Sequence, residues 1–146
     1  MPTVASQRAG VTPALPAIAF GALAAIAPQT FAHACQGHDT PGACHYAQQA
    51  ATGIGVAMLA IGIIALFARP AMCAGLNAAA AVIALSLIAV PTVLIGVCPG
   101  AMMHCRMVML PTLIVVGALA AVCCLIAAWA DLRADRAERA RASVAV

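Results

Sequence analysis

This sequence of 146 residues contains no lysine, and only 8% of its residues are charged and 3% aromatic. The carboxylates are few, namely Asp39, Asp131, Asp135 and Glu138. Paired-carboxylate catalysis and Ser-His-Asp triads therefore find no support. No glycine-rich phosphate loop and no dense basic patch occur, which argues against nucleotide hydrolysis and against nucleic-acid binding.

Long uncharged stretches dominate what remains. The sequence is 65% hydrophobic, with a mean hydropathy of +1.06. Crossing a hydrocarbon core takes about 20 apolar residues, and four stretches reach that length without alternating in polarity. We predict an all-α membrane protein in which four transmembrane helices cover about 11–34, 46–68, 72–97 and 107–130.

The arginines predict the orientation of this bundle in the membrane. Arg8 precedes the first span, Arg69 lies between the second and third, and four more arginines follow the fourth. The positive-inside rule places these residues in the cytoplasm and leaves only Arg106 outside. We predict a protein of the inner, cytoplasmic membrane, with cytoplasmic tails at 1–10 and 131–146 and an N-in/C-in topology. No span contains a charged residue, which argues against an ion or proton pathway.

A signal peptide is the competing interpretation of the first span. Ala32-His33-Ala34 precedes Cys35 in the manner of an A-x-A cleavage site, after Arg8 and an apolar region. The apolar run is long for a signal sequence, so we favour a retained first span. Cleavage of residues 1–34 stays open.

The two halves of the sequence resemble each other. Pro28 and Cys35 are seven positions apart, as are Pro91 and Cys98. Each half continues through a short loop to a second cysteine followed by a polar residue, at Cys44-His45 and Cys105-Arg106. The pattern predicts two tandem, similar helical hairpins in the same orientation.

Four of the seven cysteines fall at the predicted outer face, where disulfides are expected to form. They are Cys35, Cys44, Cys98 and Cys105. Pairing within each hairpin is the preferred connectivity, and the two other connectivities remain open. The remaining three, Cys73, Cys123 and Cys124, fit better as small buried apolar side chains.

The same outer residues allow two chemical alternatives. Four helices with a cysteine pair in each outer loop are also the layout of quinone-linked thiol-disulfide oxidoreductases, with His45 and Arg106 positioned to stabilise thiolates. Those enzymes carry a C-x-x-C, which this sequence lacks. The second alternative is the handling of copper, zinc or heme by outer soft ligands, with weak candidates at His33, His38, His45, His104, Met102 and Met103.

Three segments resemble one known family: APQTFAHAC, CHYAQQAATGIGV and PTVLIGVCPGAMMHCRMVMLPTLIV. The chain is similar over about residues 20 to 120 to the domain-of-unknown-function family 4418, small prokaryotic four-helix membrane proteins with paired outer cysteines. The motif positions that carry over are Pro28, Cys35, Cys44, His45, Gln49, Gly53, Gly55, Pro91, Cys98, Cys105, Arg106, Leu110 and Pro111. The chain departs from the family pattern at Gln48, where a small residue is usual, and at Ala51, where an acid is common.

The family resemblance implies no established activity. Members are often encoded beside ABC transporters of the lipoprotein-releasing or macrolide-exporter type, which implies an accessory role in such a membrane complex. We therefore expect a non-enzymatic partner in the lipid bilayer, of a transporter or of further copies of itself. Its functional cap is expected at His45, His104, Arg106 and Gln49.

Overall fold

The computed structural model describes residues 4–34, 42–97, 100 and 102–144, with side chains from Thr12 onward except that of Pro70. It contains four α-helices, which we number α1 (Val4–Ile26), α2 (Ala43–Leu66), α3 (Pro70–Ala89) and α4 (Leu110–Val144). Four stretches are long and apolar enough to cross a membrane: Thr12–Gln29, Ala43–Leu66, Ala71–Leu94 and Cys105–Val144. No strand occurs in the described ranges. The predicted all-α, four-helix membrane fold is thus confirmed, while its orientation stays a prediction.

Prolines change the helix type at the ends of α1 and α3 that we predict to be extracytoplasmic. We call this end of the bundle the outer end. Pro28 lies in a 3-10 turn, Ala27–Gln29, and Pro91 lies in a π-helical turn, Val90–Leu94. Both rings are buried. Proline lacks the N–H that a continuing α-helix would need, so the hydrogen-bond pattern must shift. After the π-turn, Gly96 adopts a φ of 80° and turns the chain away from the helix.

A short turn joins α2 to α3 at the end of the bundle that we predict to be cytoplasmic. Phe67 and Ala68 donate backbone hydrogen bonds to the last carbonyls of α2. Arg69 is extended and Pro70 occupies the first position of α3, where a missing N–H costs nothing. The sequence thus makes this turn from only three residues.

The four helices pack as two hairpins. α1 packs most extensively against α2, and α3 against α4, while α1–α4 and α2–α3 contacts join the hairpins. The core consists mostly of alanines, with a few large buried side chains at Met58, Leu87, Met109 and Leu113. A helix in lipid gains little from burying apolar side chains, because the lipid tails are apolar too. Close van der Waals contact between small residues therefore holds such a bundle together.

Glycines allow the backbones of α1 and α2 to touch. A Cβ added at Gly21 would lie 2.5 Å from the amide nitrogen of Leu59. One added at Gly55 would collide with the backbone at Ala25, and one at Gly62 with that of Ile18. Any larger residue at these positions would push the two helices apart.

The last helix is longer than a single crossing of the membrane requires. α4 has 35 residues, and at about 1.5 Å per residue it is longer than the hydrocarbon core. Near the predicted interface the guanidinium of Arg133 lies 3.4 Å from the centroid of the Trp129 ring. Within the predicted tail Asp131 is buried, whereas nearly all the residues after it are exposed.

Candidate functional site

Two histidines from different hairpins meet at the outer end of the bundle. The rings of His33 and His104 stack with their centroids 4.7 Å apart and an angle of 17° between planes. His104 Nε2 lies 2.9 Å from the carbonyl oxygen of Phe31, and His33 Nδ1 lies 3.0 Å from that of Ala34. A carbonyl only accepts, so His104 Nε2 and His33 Nδ1 are the donors in these hydrogen bonds. The stack therefore connects the segment after α1 to the start of the turn before α4.

Beside this stack, a hydrogen-bonded group joins α1 to α2. The backbone N–H of Ala34 donates to Gln48 Oε1 at 2.8 Å, and Gln48 Nε2 donates to Gln29 Oε1 at 3.3 Å. Gln29 Nε2 in turn donates to the hydroxyl of Thr52 at 2.8 Å, and that hydroxyl donates to the Gln48 carbonyl at 3.1 Å. We call Gln29, Gln48 and Thr52 the glutamine network. It holds the end of α1 and the chain after it against the first turns of α2.

The two described outer cysteines are buried in the core of the bundle. Cys44 is 3% exposed and Cys105 is not exposed at all, and both belong to the same buried cluster, together with Ala47, Met109 and Leu113. Their predicted partners, Cys35 and Cys98, lie outside the described residues. The two predicted disulfides therefore stay predictions. The cluster nevertheless brings one cysteine from each hairpin into one part of the core.

The predicted cap residues differ in the contacts that they make. His104 joins the histidine stack, but His45 instead lies edge-on to Tyr46 of its own helix, with the ring centroids 5.9 Å apart. Gln49 and Arg106 are exposed. Met102 and Met103 are exposed as well, and His38 lies outside the described residues.

The geometry of the histidine stack limits its use as a metal chelate. A metal ion lies in the plane of the imidazole that binds it, at about 2.0–2.1 Å from the nitrogen. Two nearly parallel rings 4.7 Å apart do not place one ion in both planes, so chelation would require one ring to turn. In the described part of the chain, no three histidine, cysteine or acidic side chains are grouped to hold a metal ion.

A second polar site lies at the opposite end of the bundle. Asn77 of α3 is 1% exposed and donates from Nδ2 to Asp131 Oδ2 of α4 at 3.0 Å. Asp131 is 5% exposed. The thiol of Cys73 donates to the Ala65 carbonyl at 3.2 Å and is buried nearby on α3. A buried amide and carboxyl are thus paired between two helices.

A cavity adjoins this second site. It has a volume of about 510 Å³ and lies between the first turns of the α1 span and the end of the α4 span. Its wall is formed by Pro13 and Pro16 on one side and by Ile126 and Ala127 on the other, with the Asp131 carboxyl at its edge. The cavity is therefore apolar with a single acidic group.

Sequence reasoning missed the side-chain contacts that cross between elements. Asn77 is a polar residue within the third predicted span, and its partner Asp131 falls in the predicted cytoplasmic tail at 131–146. The signal available was the position of Asp131, directly after the apolar run and two residues after Trp129. His33 was considered only as a weak metal ligand, and Gln48 only as a departure from the family pattern. Nothing in the sequence pairs them with His104 or Gln29.

Comparison with known proteins identifies the family and nothing finer. No curated protein and no solved structure matches this chain. The model of a domain-of-unknown-function family matches residues 17–130, which cover all or most of each predicted span and both predicted outer cysteine segments. The resemblance drawn from the motifs is confirmed: this protein belongs to the DUF4418 family.

Proposed function

We propose that this protein is a non-enzymatic partner subunit of a membrane complex of the ABC-transporter type. The observation that carries the proposal concerns two glycines on the outside of the bundle. A Cβ added at Gly53 of α2 or at Gly75 of α3 would meet no atom within 4 Å. Packing within the described chain therefore does not account for them.

Glycine in a helix has a price, because it destabilises a helix by about 1 kcal/mol relative to alanine. That loss is offset at three glycines by the close contact of α1 with α2, namely at Gly21, Gly55 and Gly62. Gly53 and Gly75 have no such contact, yet each is followed four residues later by an exposed alanine, Ala57 or Ala79. Small residues four apart on a lipid-facing surface are the pattern by which transmembrane helices approach each other closely. A helix of another subunit fits these two faces.

Site-specific photocrosslinking in cells tests the proposal. A photoreactive residue at Ala57 or Ala79 should form an adduct with a polytopic subunit of an ABC-type transporter. The matched control is Val115, which is also exposed on α4 but has Pro111 and Leu119, neither of them a small residue, four positions away. Gly53→Leu should abolish the adduct formed from Ala57. An adduct with a second copy of this chain, or equal labelling from all three positions, would contradict the proposal.

We further propose that the outer cap carries two disulfides, Cys35–Cys44 and Cys98–Cys105. Burial of Cys44 and Cys105 supports a structural role, because a buried sulfur is shielded from reductants and exchange partners. The test is alkylation of the denatured protein, read by mass spectrometry. Before reduction only Cys73, Cys123 and Cys124 should be modified, and after reduction all seven cysteines. In Cys35→Ala, Cys44 alone should join the cysteines that are modified before reduction. Modification of Cys98 or Cys105 at that stage would contradict this pairing.

A membrane thiol-disulfide oxidoreductase is the second candidate, and the shared cluster of Cys44 and Cys105 favours it. Transfer between hairpins would oxidise the two thiols of one pair to a disulfide while reducing the other disulfide to two thiols. A quinone would then accept those two electrons and two protons and become a quinol. Reduced protein mixed with a quinone analogue decides between the two roles. Rapid reoxidation that forms quinol favours the enzyme, and stable thiols favour the partner subunit.

A further inference from the structure

The cavity next to Asp131 has an unusual combination of walls. It lies between the proline-containing start of the α1 span and the end of α4, and Pro13, Pro16 and Ile126 give it an apolar lining. Pro13 and Pro16 lie within α1 and line the cavity together with Ala127 of α4. A volume of about 510 Å³ is in the range of pockets that hold small ligands.

The polar pair next to the cavity, namely Asp131 in its lining and Asn77 bonded to Asp131, has an excess of acceptors. The Asp131 carboxyl receives one hydrogen bond from the Asn77 amide. The other side-chain atom of that amide, Asn77 Oδ1, is buried and has no hydrogen-bond partner among the described residues. Burying a carboxylate is expensive unless a cation or several donors compensate. No ion pair to Asp131 occurs in the described part of the chain.

From these observations we infer that the cavity binds the primary ammonium group of an amphipathic amine. The ammonium would donate hydrogen bonds to Asp131, and the alkyl part would fill the apolar wall. One carboxyl and one amide are too few oxygens for a calcium-type site, which takes six to eight ligands. A single acidic group in an apolar slot suits one cation that carries its own apolar chain. This inference does not depend on the proposed role as a partner subunit.

The position of the site along α4 supports an amphiphile as ligand. Asp131 lies between Trp129 and Arg133, which interact with each other in the manner of residues at a membrane interface. Ammonium groups at that depth come either from ethanolamine lipid headgroups or from free alkylamines. Both have N–H donors, which the quaternary ammonium of a choline headgroup lacks.

Binding is tested with the purified full chain in neutral detergent, with dodecylamine as probe and dodecyltrimethylammonium as the matched control. Charge-assisted hydrogen bonds should make dodecylamine bind about tenfold or more tightly than the quaternary compound. Asp131→Asn keeps an acceptor for Asn77 and should remove this preference. Asp135→Asn, which alters an exposed ion pair one turn later, should leave it intact.

A second variant and a second ligand separate the sources of the amine. Ala130→Leu should fill the cavity without touching the carboxyl and should abolish dodecylamine binding. Native mass spectrometry from mixed vesicles should show phosphatidylethanolamine retained over phosphatidylcholine if the lipid is the ligand. Retention of dodecylamine alone would assign the site to free amines. Equal binding of primary and quaternary amines, or binding unchanged by Asp131→Asn, would overturn the inference.

Discussion

The α1–α2 and α3–α4 hairpins have similar sequences at their outer ends but are held together in different ways. In the first, three glycines bring the two backbones into contact, and the glutamine network fastens the outer end. In the second, a single glycine, Gly117, approaches α3, and the polar pair Asn77–Asp131 fastens the opposite end. A repeated proline and cysteine pattern in the sequence therefore does not specify how the helices of each hairpin pack. The following substitutions test that difference.

Gly55→Ala should have the largest effect. The added Cβ would collide with the backbone of Ala25, which cannot rotate away as a side chain can. Overpacking of this kind typically costs about 1–3 kcal/mol, and we expect the upper end because backbone is involved. The free energy of unfolding in a mixed-micelle denaturant titration measures it.

Gly53→Ala is the matched control for that experiment, two residues away on the same helix. Because no atom lies within 4 Å, it should stabilise the isolated chain by about the helix-propensity difference of up to 1 kcal/mol. Equal destabilisation by both variants would mean that glycine contacts do not hold the first hairpin together.

Asn77→Leu should be the most damaging single polar change in the second hairpin. It leaves the Asp131 carboxyl buried without its described donor, which should cost about 1–3 kcal/mol. The same unfolding titration measures the loss, and Asp131→Leu in the same chain should recover part of it because the orphaned group is then removed. Additive losses in the double variant would contradict a direct pairing.

Arg139→Ala serves as the reference for an exposed polar contact. Its guanidinium bonds Asp135 at 2.9 Å, but the arginine side chain is 75% exposed, so we expect a change of no more than about 0.5 kcal/mol.

Gln48→Leu should have a smaller effect than Asn77→Leu, confined to the outer end. It removes the acceptor for the Ala34 N–H and the donor to Gln29, with an expected loss of about 1 kcal/mol. Hydrogen exchange at the Ala34 amide should accelerate, while that of α3 amides should not change. Gln49→Leu is the control, since Gln49 is exposed, and an equal effect of both would rule out the network as the cause.

Hydropathy and the few charges predicted the fold because both act locally along the chain. A run of apolar residues between arginines must cross the membrane as a helix, whatever its neighbours are. Pro28 and Pro91 also act locally, because each lies in the turn where the helix type changes. The candidate site was less predictable. Asn77 and Asp131 are 54 positions apart, and the two stacked histidines are separated by two spans. Such pairs depend on how the hairpins are placed against each other, which in a core of alanines is decided by small differences in shape.

Because α4 is long, its arginines lie at different distances from the predicted membrane interface. Arg133 lies over Trp129, at the predicted interface, whereas Arg141 lies about 12 Å further along a helix that rises about 1.5 Å per residue. At physiological salt, charges separated by more than about 8 Å are largely screened from one another. With Trp129 at the predicted interface, we expect the first arginine to sense the lipid headgroups and the last ones to act on whatever approaches through water. One helix would then present the same residue type to two different media.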